Sequence, residues 1–203
     1  MTFDRATFFD TMRSSLLGPT LDQGEVQGCE AILDAMRGQP LSWVAYALST
    51  AFHETAHTMQ PIKEYGGPRY FTRMYDITGS RPNLARSMGN TTPGDGVKFC
   101  GRGYVQLTWR VNYIKAGLEL GEPLEGQPDL AMRPDIAAKI MRRGMEKGWF
   151  TGKAFAHFLP GSGPAERKAY LNARRIINGM DRAGVIADYA LKFETALVKG
   201  GWE

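Results

Sequence analysis

The sequence predicts a mainly helical domain with one small β element. Three observations carry this: apolar residues recur at helical spacing in segments with recognisable starts and stops, one short stretch alternates like a strand, and glycine and proline cluster between these segments. With 203 residues, 43% hydrophobic and 23% charged, the chain can bury a good core as one domain, with room for two lobes around a cleft. That balance fits neither a disordered chain nor a membrane protein. No apolar run approaches the length of a spanning helix, so no stable membrane association is expected. Residues 1–20 lack the basic start and apolar core of a secretory signal, so export by the general route is not expected. The net charge of +4 is spread along the chain without a basic arm or nucleic-acid motif, which argues against a nucleic-acid partner and fits a protein acting on an anionic polymer or envelope as well as it fits an ordinary soluble basic protein.

Thr2 is placed to cap a first helix in which Phe3, Phe8, Phe9, Met12, Leu16 and Leu17 share a face, ending near Gly18-Pro19. Asp22 and Glu25 have the spacing of a capping box and open a second helix with Val26, Cys29, Ile32, Leu33 and Met36 inward, stopped by Gly38 and Pro40. Cys29 and Cys100 stand at no metal-binding spacing and are expected to be reduced, Cys29 as a small core residue. Ser42 can cap a third helix through Trp43, Val44, Ala45, Ala47, Leu48, Ala51 and Phe52, apolar on most of its circumference and therefore interior.

That third helix ends in Glu54, and an irregular segment delivers Glu64 ten positions on. A carboxylate at the end of so apolar a helix must be paired, hydrogen-bonded or open to a cleft, because an unpaired buried charge is too costly. The same residues also match a zinc motif, His53-Glu54-Thr55-Ala56-His57, in which two histidines at i and i+4 bind metal and the glutamate activates its water. A third ligand would have to be Glu64 or a later aspartate, since the remaining histidine, His157, lies far downstream. Histidines favoured at a helix C-terminus by the helix dipole explain the pair without metal, and that is the reading preferred here.

Residues 66–103 lose regular period and fill with turn formers, which predicts a long loop-rich insert ordered by Tyr65, Tyr70, Phe71, Tyr75 and Phe99, some of them available to line a sugar-binding cleft. Gly101 and Gly103 suit a turn, Tyr104 to Trp109 reads as a short strand with Gln106 and Thr108 on one face, and Val111 to Leu120 restarts a helix. Asn112 falls one helical turn after Thr108. Downstream, Pro134 opens a helix stopped at Gly148, with Trp149 and Phe150 packing it against the core. A further helix runs to Asn178-Gly179, a pair that also makes a routine C-cap, and a last one uses Val185, Ile186, Tyr189, Phe193 and Leu197.

Taken together, His53-Glu54-Thr55, the second glutamate, Gly101-Arg-Gly-Tyr-Val-Gln-Leu-Thr-Trp-Arg-Val-Asn-Tyr113 and Ile176-Ile-Asn-Gly179 resemble glycoside hydrolase family 19, and within that chitinase-like family the compact endolysins of phages and prophages. The likeness spans about residues 42–199 in the same motif order, and the first forty residues carry no family signature. It implies a mainly α, lysozyme-like α+β domain with the small β element lining a catalytic cleft; 1–203 is read as one catalytic domain, in which 1–41 form N-terminal helices to which the likeness gives no role. It implies that Glu54 is the general acid, that Glu64 is the general base, and that Thr108 helps hold the nucleophilic water. Gln106, Asn112 and Asn178 fall on family positions associated with sugar or water contacts, and Tyr104 of the same block is counted with them as substrate-binding. The sequence has His57 where many relatives have glycine, and a shorter segment between the glutamates than plant chitinases have.

Two glutamates in different surroundings can divide acid and base between them: apolar neighbours would keep Glu54 protonated while Glu64, on a wetter loop, stays ionised. No cofactor is required for this chemistry. The implied substrate is a β-1,4-linked N-acetylhexosamine polymer, either chitin or the glycan strand of peptidoglycan, with peptidoglycan favoured by the likeness to phage enzymes. The expected setting is then a monomer made in a bacterial host cytoplasm and acting in the periplasm or cell wall after a separate membrane-permeabilising protein releases it.

Overall fold

Helix α3, Leu41–Glu54, is buried at every residue from Leu41 to Phe52 except Trp43, as its nearly continuous apolar circumference requires. In the computed structural model of the protein, which describes residues 3–202, the chain divides into two compact units, one made of residues 1–60 and 141–203 and the other of residues 61–140.

In the first unit α3 packs along the C-terminal helix α10, Ala183–Lys199. Small residues make the close approach possible: Ala45, Ala47 and Ala51 on α3 and Ala187 and Ala190 on α10 are fully buried, with Phe193 and Leu197 filling the space beside them. Burying each of the larger side chains contributes about 1.5–3 kcal/mol. Helices α1 (Arg5–Met12), α2 (Gln23–Ala35) and α9 (Arg167–Ala173) complete this unit, α1 and α9 against α10 and α2 against α3. The N-terminal residues without a family signature are therefore core-forming.

The expected capping box is present: the Asp22 carboxylate accepts from the Gly24 N–H at 2.5 Å while Glu25 accepts from the Asp22 N–H at 2.8 Å. Two other caps differ from expectation. Thr2 lies outside the described residues, and α1 is capped by Asp4, which accepts from the Thr7 N–H at 3.2 Å; a π-type turn, Arg13–Leu17, then carries the chain towards Gly18. Ser42 lies inside the first turn of α3 and donates instead to the Pro160 carbonyl at 2.9 Å, a bond that only the folded chain can supply.

The second unit holds the β element. Strand β1, Ile62–Lys63, pairs antiparallel with β2, Arg102–Gly103, in the register Ile62 to Gly103 and Lys63 to Arg102. The strand expected over Tyr104–Trp109 is not one: Gln106 takes a left-handed φ of 52°, so the chain turns straight back and Leu107 bridges to Arg102. The expected loop-rich insert contains three short helices, α4 (Pro68–Tyr75), α5 (Pro82–Ser87) and α6 (Asp95–Lys98), the first two opened by a proline whose missing N–H needs no partner there. Helix α7, Arg110–Leu120, follows, and α8, Pro134–Lys147, starts at the expected proline and stops at Gly148. The ring of Phe150 packs so closely on Gly144 that a Cβ there would lie 2.2 Å from it. Both cysteines are buried and free, and burial pushes the Cys29 thiol well above its usual range. Among the described residues no helix is long and apolar enough to cross a membrane.

Candidate active site

Glu54 occupies the last position of α3, and the backbone just beyond it is left-handed at Ala56 (φ 50°), His57 (φ 73°) and Met59 (φ 54°). The His57 N–H reaches back to the Phe52 carbonyl at 2.8 Å, and the Thr55 hydroxyl closes on the Ala51 carbonyl at 2.8 Å while accepting from the Met59 N–H at 3.0 Å. This ends the helix at the carboxylate without glycine, against a cost of about 1–2 kcal/mol per left-handed residue, and non-glycine strain of this kind concentrates at functional sites. Gly28 of α2 makes room for the turn, since a Cβ there would lie 1.7 Å from the Met59 carbonyl oxygen.

The turn also bears on the zinc motif. Because the helix stops at Glu54, His53 and His57 do not share a helical face; the His57 ring stacks on Phe52 at 4.3 Å and its Nε2 lies 3.2 Å from the Tyr189 hydroxyl. His53 is half-buried, and burial pushes its pKa below the usual histidine range. Two histidines held this way do not form the i, i+4 ligand pair that the motif requires.

What Glu54 meets is a cation, where apolar neighbours were expected. Arg174 donates from Nη1 to Glu54 Oε1 at 2.6 Å and from Nε to the Asp181 carbonyl at 3.0 Å; the arginine side chain is 3% exposed and the glutamate 24%. No local pattern in the sequence marks Arg174, because 120 residues separate it from Glu54. Asn178, nearby in sequence, is exposed, and its side chain accepts from its neighbour Gly179 N–H at 2.9 Å; the short 3-10 turn Arg174–Ile176 ends before it.

Glu64, in the second unit, follows β1 directly and is half-buried. Between exposed Lys63 and Tyr65, its carboxylate is nonetheless held by three donors. Its Oε1 accepts from the Tyr75 hydroxyl at 2.6 Å and from the Tyr70 hydroxyl at 3.3 Å, and its Oε2 accepts from the Gly101 N–H at 3.2 Å. Gly101 has to be glycine for this: a Cβ would lie 2.8 Å from Gln106 Oε1 and 3.1 Å from Glu64 Oε2. Burial, and then the hydrogen bond to Glu64, push the Tyr75 phenol above its ordinary range, so it stays a donor. Of the aromatics of the insert, Tyr70 and Tyr75 thus serve the carboxylate, while Tyr65 is exposed; Tyr75 stands edge-on to Trp109 with centroids 5.0 Å apart, and Trp109 itself holds a φ of 76°.

The remaining sequence-predicted residues of this unit form a frame around the hairpin. Gln106 donates to the Ile62 carbonyl at 3.1 Å and the Gly103 carbonyl at 3.2 Å, tying β1 to the turn. Thr108 is half-buried and donates its hydroxyl to the Gln106 carbonyl at 2.8 Å, and Asn112 donates to the Thr108 carbonyl at 2.8 Å. Tyr104 is fully buried, which makes it a packing residue and removes it from direct substrate contact.

With this geometry the chain can be set beside known proteins. A crystal structure of chitinase C from Streptomyces griseus aligns with 97% of this chain and 76% of its own at a TM-score of 0.62 and 21% identity. A bacterial family 19 chitinase aligns with 96% of this chain and 94% of its own at a TM-score of 0.56, again at 21% identity. The chain has the fold of a family 19 chitinase. An endochitinase of Arabidopsis thaliana is 29% identical over 134 residues, which is 65% of this chain and 41% of the plant protein, so the chain spans about two fifths of that relative's length. No protein-family model matches. The chitinase fold agrees with the mainly helical, lysozyme-like architecture expected from the sequence, small β element included.

Proposed function

We propose that this protein is a glycoside hydrolase that cleaves β-1,4 linkages between N-acetylhexosamines of bacterial peptidoglycan, with inversion, in the manner of an endolysin. The observation that carries the reading is the pair of contrasting carboxylates on this fold: Glu54 held by one cation through one oxygen, and Glu64 held by three neutral donors. Glu54 is the general acid. Arg174 engages only its Oε1, which leaves Oε2 to carry the proton delivered to the glycosidic oxygen as the bond to the anomeric carbon breaks. Glu64 is the general base, taking a proton from the water that attacks that carbon. Thr108 has committed its own hydrogen to the Gln106 carbonyl, so towards a water it can only accept, and a water donating to both Thr108 and Glu64 presents a lone pair for attack. Asn112 and Gln106 hold this frame through backbone carbonyls, and Asn178, exposed in the first unit, is assigned to sugar contact.

The net charge of +4 favours peptidoglycan, whose strands carry acidic substituents, over uncharged chitin. The chitin reading is the second one, and the chitinases among the similar proteins favour it. In the lytic setting, the enzyme accumulates in the host cytoplasm and reaches the wall when a separate protein opens the membrane. The deciding experiment incubates purified sacculi and a chitin hexasaccharide with the wild-type protein and with Glu54→Gln, then identifies the new reducing ends by mass spectrometry. Soluble muropeptides from the wild type alone are expected. Cleavage of the hexasaccharide without any from sacculi transfers the reading to chitin, and no cleavage of either ends it.

A further inference from the structure

The donors around Glu64 distinguish its two oxygens. We propose that Tyr75 is a positioning residue which, backed by Tyr70, pins the Glu64 carboxylate through Oε1 and leaves Oε2 as the atom that takes the proton from water. This rests on reading Glu64 as the base.

A carboxylate oxygen has two acceptor positions. On Oε1 both are filled, by the hydroxyls of Tyr75 at 2.6 Å and Tyr70 at 3.3 Å. Among the described residues Oε2 takes only the Gly101 N–H at 3.2 Å, so one of its two positions is open to water. Any partial rotation of the carboxylate plane would swing the open position away from the water, and the short bond from Tyr75 opposes it. The phenol is itself fixed from several sides. Its ring stands edge-on to Trp109 at 5.0 Å and to Tyr70 at 6.5 Å, the Arg81 guanidinium lies 5.9 Å above it, and the Asn90 amide donates to the Tyr75 carbonyl at 2.8 Å. None of these contacts uses the hydroxyl. The O–H can therefore be removed while the packing that holds the ring is kept, and holding a reacting group in one orientation is worth orders of magnitude in rate.

Tyr75→Phe isolates the effect. Measured on whichever of peptidoglycan or chitin hexasaccharide the wild type cleaves, kcat is expected to fall about 10- to 100-fold with KM within about twofold, because the lost contact orients the base and binds no sugar. Folding is checked by thermal unfolding and by carbon NMR of ring-labelled tyrosine. In that spectrum the Cζ resonance of Tyr75, assigned by its loss in Tyr75→Phe, is expected to shift in Glu64→Gln, where an amide replaces the carboxylate acceptor. A folded Tyr75→Phe with kcat within about twofold of wild type overturns the proposal, as does a Cζ resonance indifferent to Glu64. The underlying reading fails differently: Glu64→Gln would then keep its turnover whatever Tyr75→Phe does.

Discussion

The Nη1 of Arg174 lies 2.6 Å from Oε1 of Glu54, and its Nε is tied to the Asp181 carbonyl 3.0 Å away, so one planar guanidinium fixes the end of α3 to a turn 120 residues downstream. Lysine offers a point charge on a flexible stem and cannot make both bonds in one plane. Arg174→Lys is therefore expected to lower kcat about 10- to 100-fold with little change in KM, as read from steady-state kinetics. Glu54→Gln should abolish turnover, since an amide has no proton to deliver to the leaving oxygen. Its fold should survive at a loss of about 1–3 kcal/mol, because a 3%-exposed arginine keeps an acceptor but loses its counter-charge. Denaturant unfolding checks that loss, and a folded Glu54→Gln with near-normal turnover refutes the acid assignment.

Stereochemistry tests Glu64 and Thr108 together. Inversion requires room for a water beside the base, with the two carboxyl groups about 6.5–9.5 Å apart. Proton NMR of the first product should show the anomer opposite to that of the substrate linkage. Thr108→Val removes the acceptor for the water at nearly constant volume and should cost about 10- to 1000-fold in kcat, with the configuration of the product unchanged. A retained configuration, or a trapped glycosyl-enzyme, would make Glu64 a nucleophile or put it outside the reaction.

His57 separates glycan from zinc chemistry. Its ring packs on Phe52 and meets the Tyr189 hydroxyl, contacts whose loss should cost about 0.5–1 kcal/mol. His57→Ala is expected to keep kcat within about threefold, and EDTA to leave hydrolysis unchanged, whereas loss of a true ligand would destroy a metal site. Chelator-sensitive cleavage of peptide bonds with stoichiometric zinc is the opposing outcome.

Asp76 predicts how the second unit responds to acid. The carboxylate is 1% exposed, and burial on its own would raise its pKa. The N–H groups of Gly96, Thr78 and Gly94 and the Thr78 hydroxyl outweigh that, and hold it below the usual carboxylate value. A folded-state pKa lowered in this way gives stability that is complete above the unfolded value, about 3.9, and is lost as pH falls through the lower folded value. Asp76→Asn should therefore lower stability at neutral pH by about 1–3 kcal/mol and flatten its decline in acid, as measured by urea unfolding across that range. An unchanged acid slope would show that the loop takes its pH dependence from elsewhere.

Local chemistry made much of this fold legible in the sequence. The Asp22–Glu25 capping box, the proline start and glycine stop of α8, the burial of α3 and the placing of Glu54 at its end all depend on groups a few residues apart, where spacing alone determines which atoms meet. The motif block around Gly101 singled out residues that the fold ties together through Gln106, Thr108 and Asn112, but not their conformation. Strands of two residues carry no period to read, so the pairing of Ile62–Lys63 with Arg102–Gly103, and the left-handed Gln106 that displaced the expected Tyr104–Trp109 strand, were decided by contacts across forty positions. The same holds for the surroundings of both glutamates. Arg174, Tyr70, Tyr75 and the Gly101 N–H reach their carboxylates only after the chain has folded, because a buried charge must find donors and takes them from wherever packing brings them. Which glutamates the chain carries was written in the sequence, while the cation on one and the phenols on the other come from the tertiary structure.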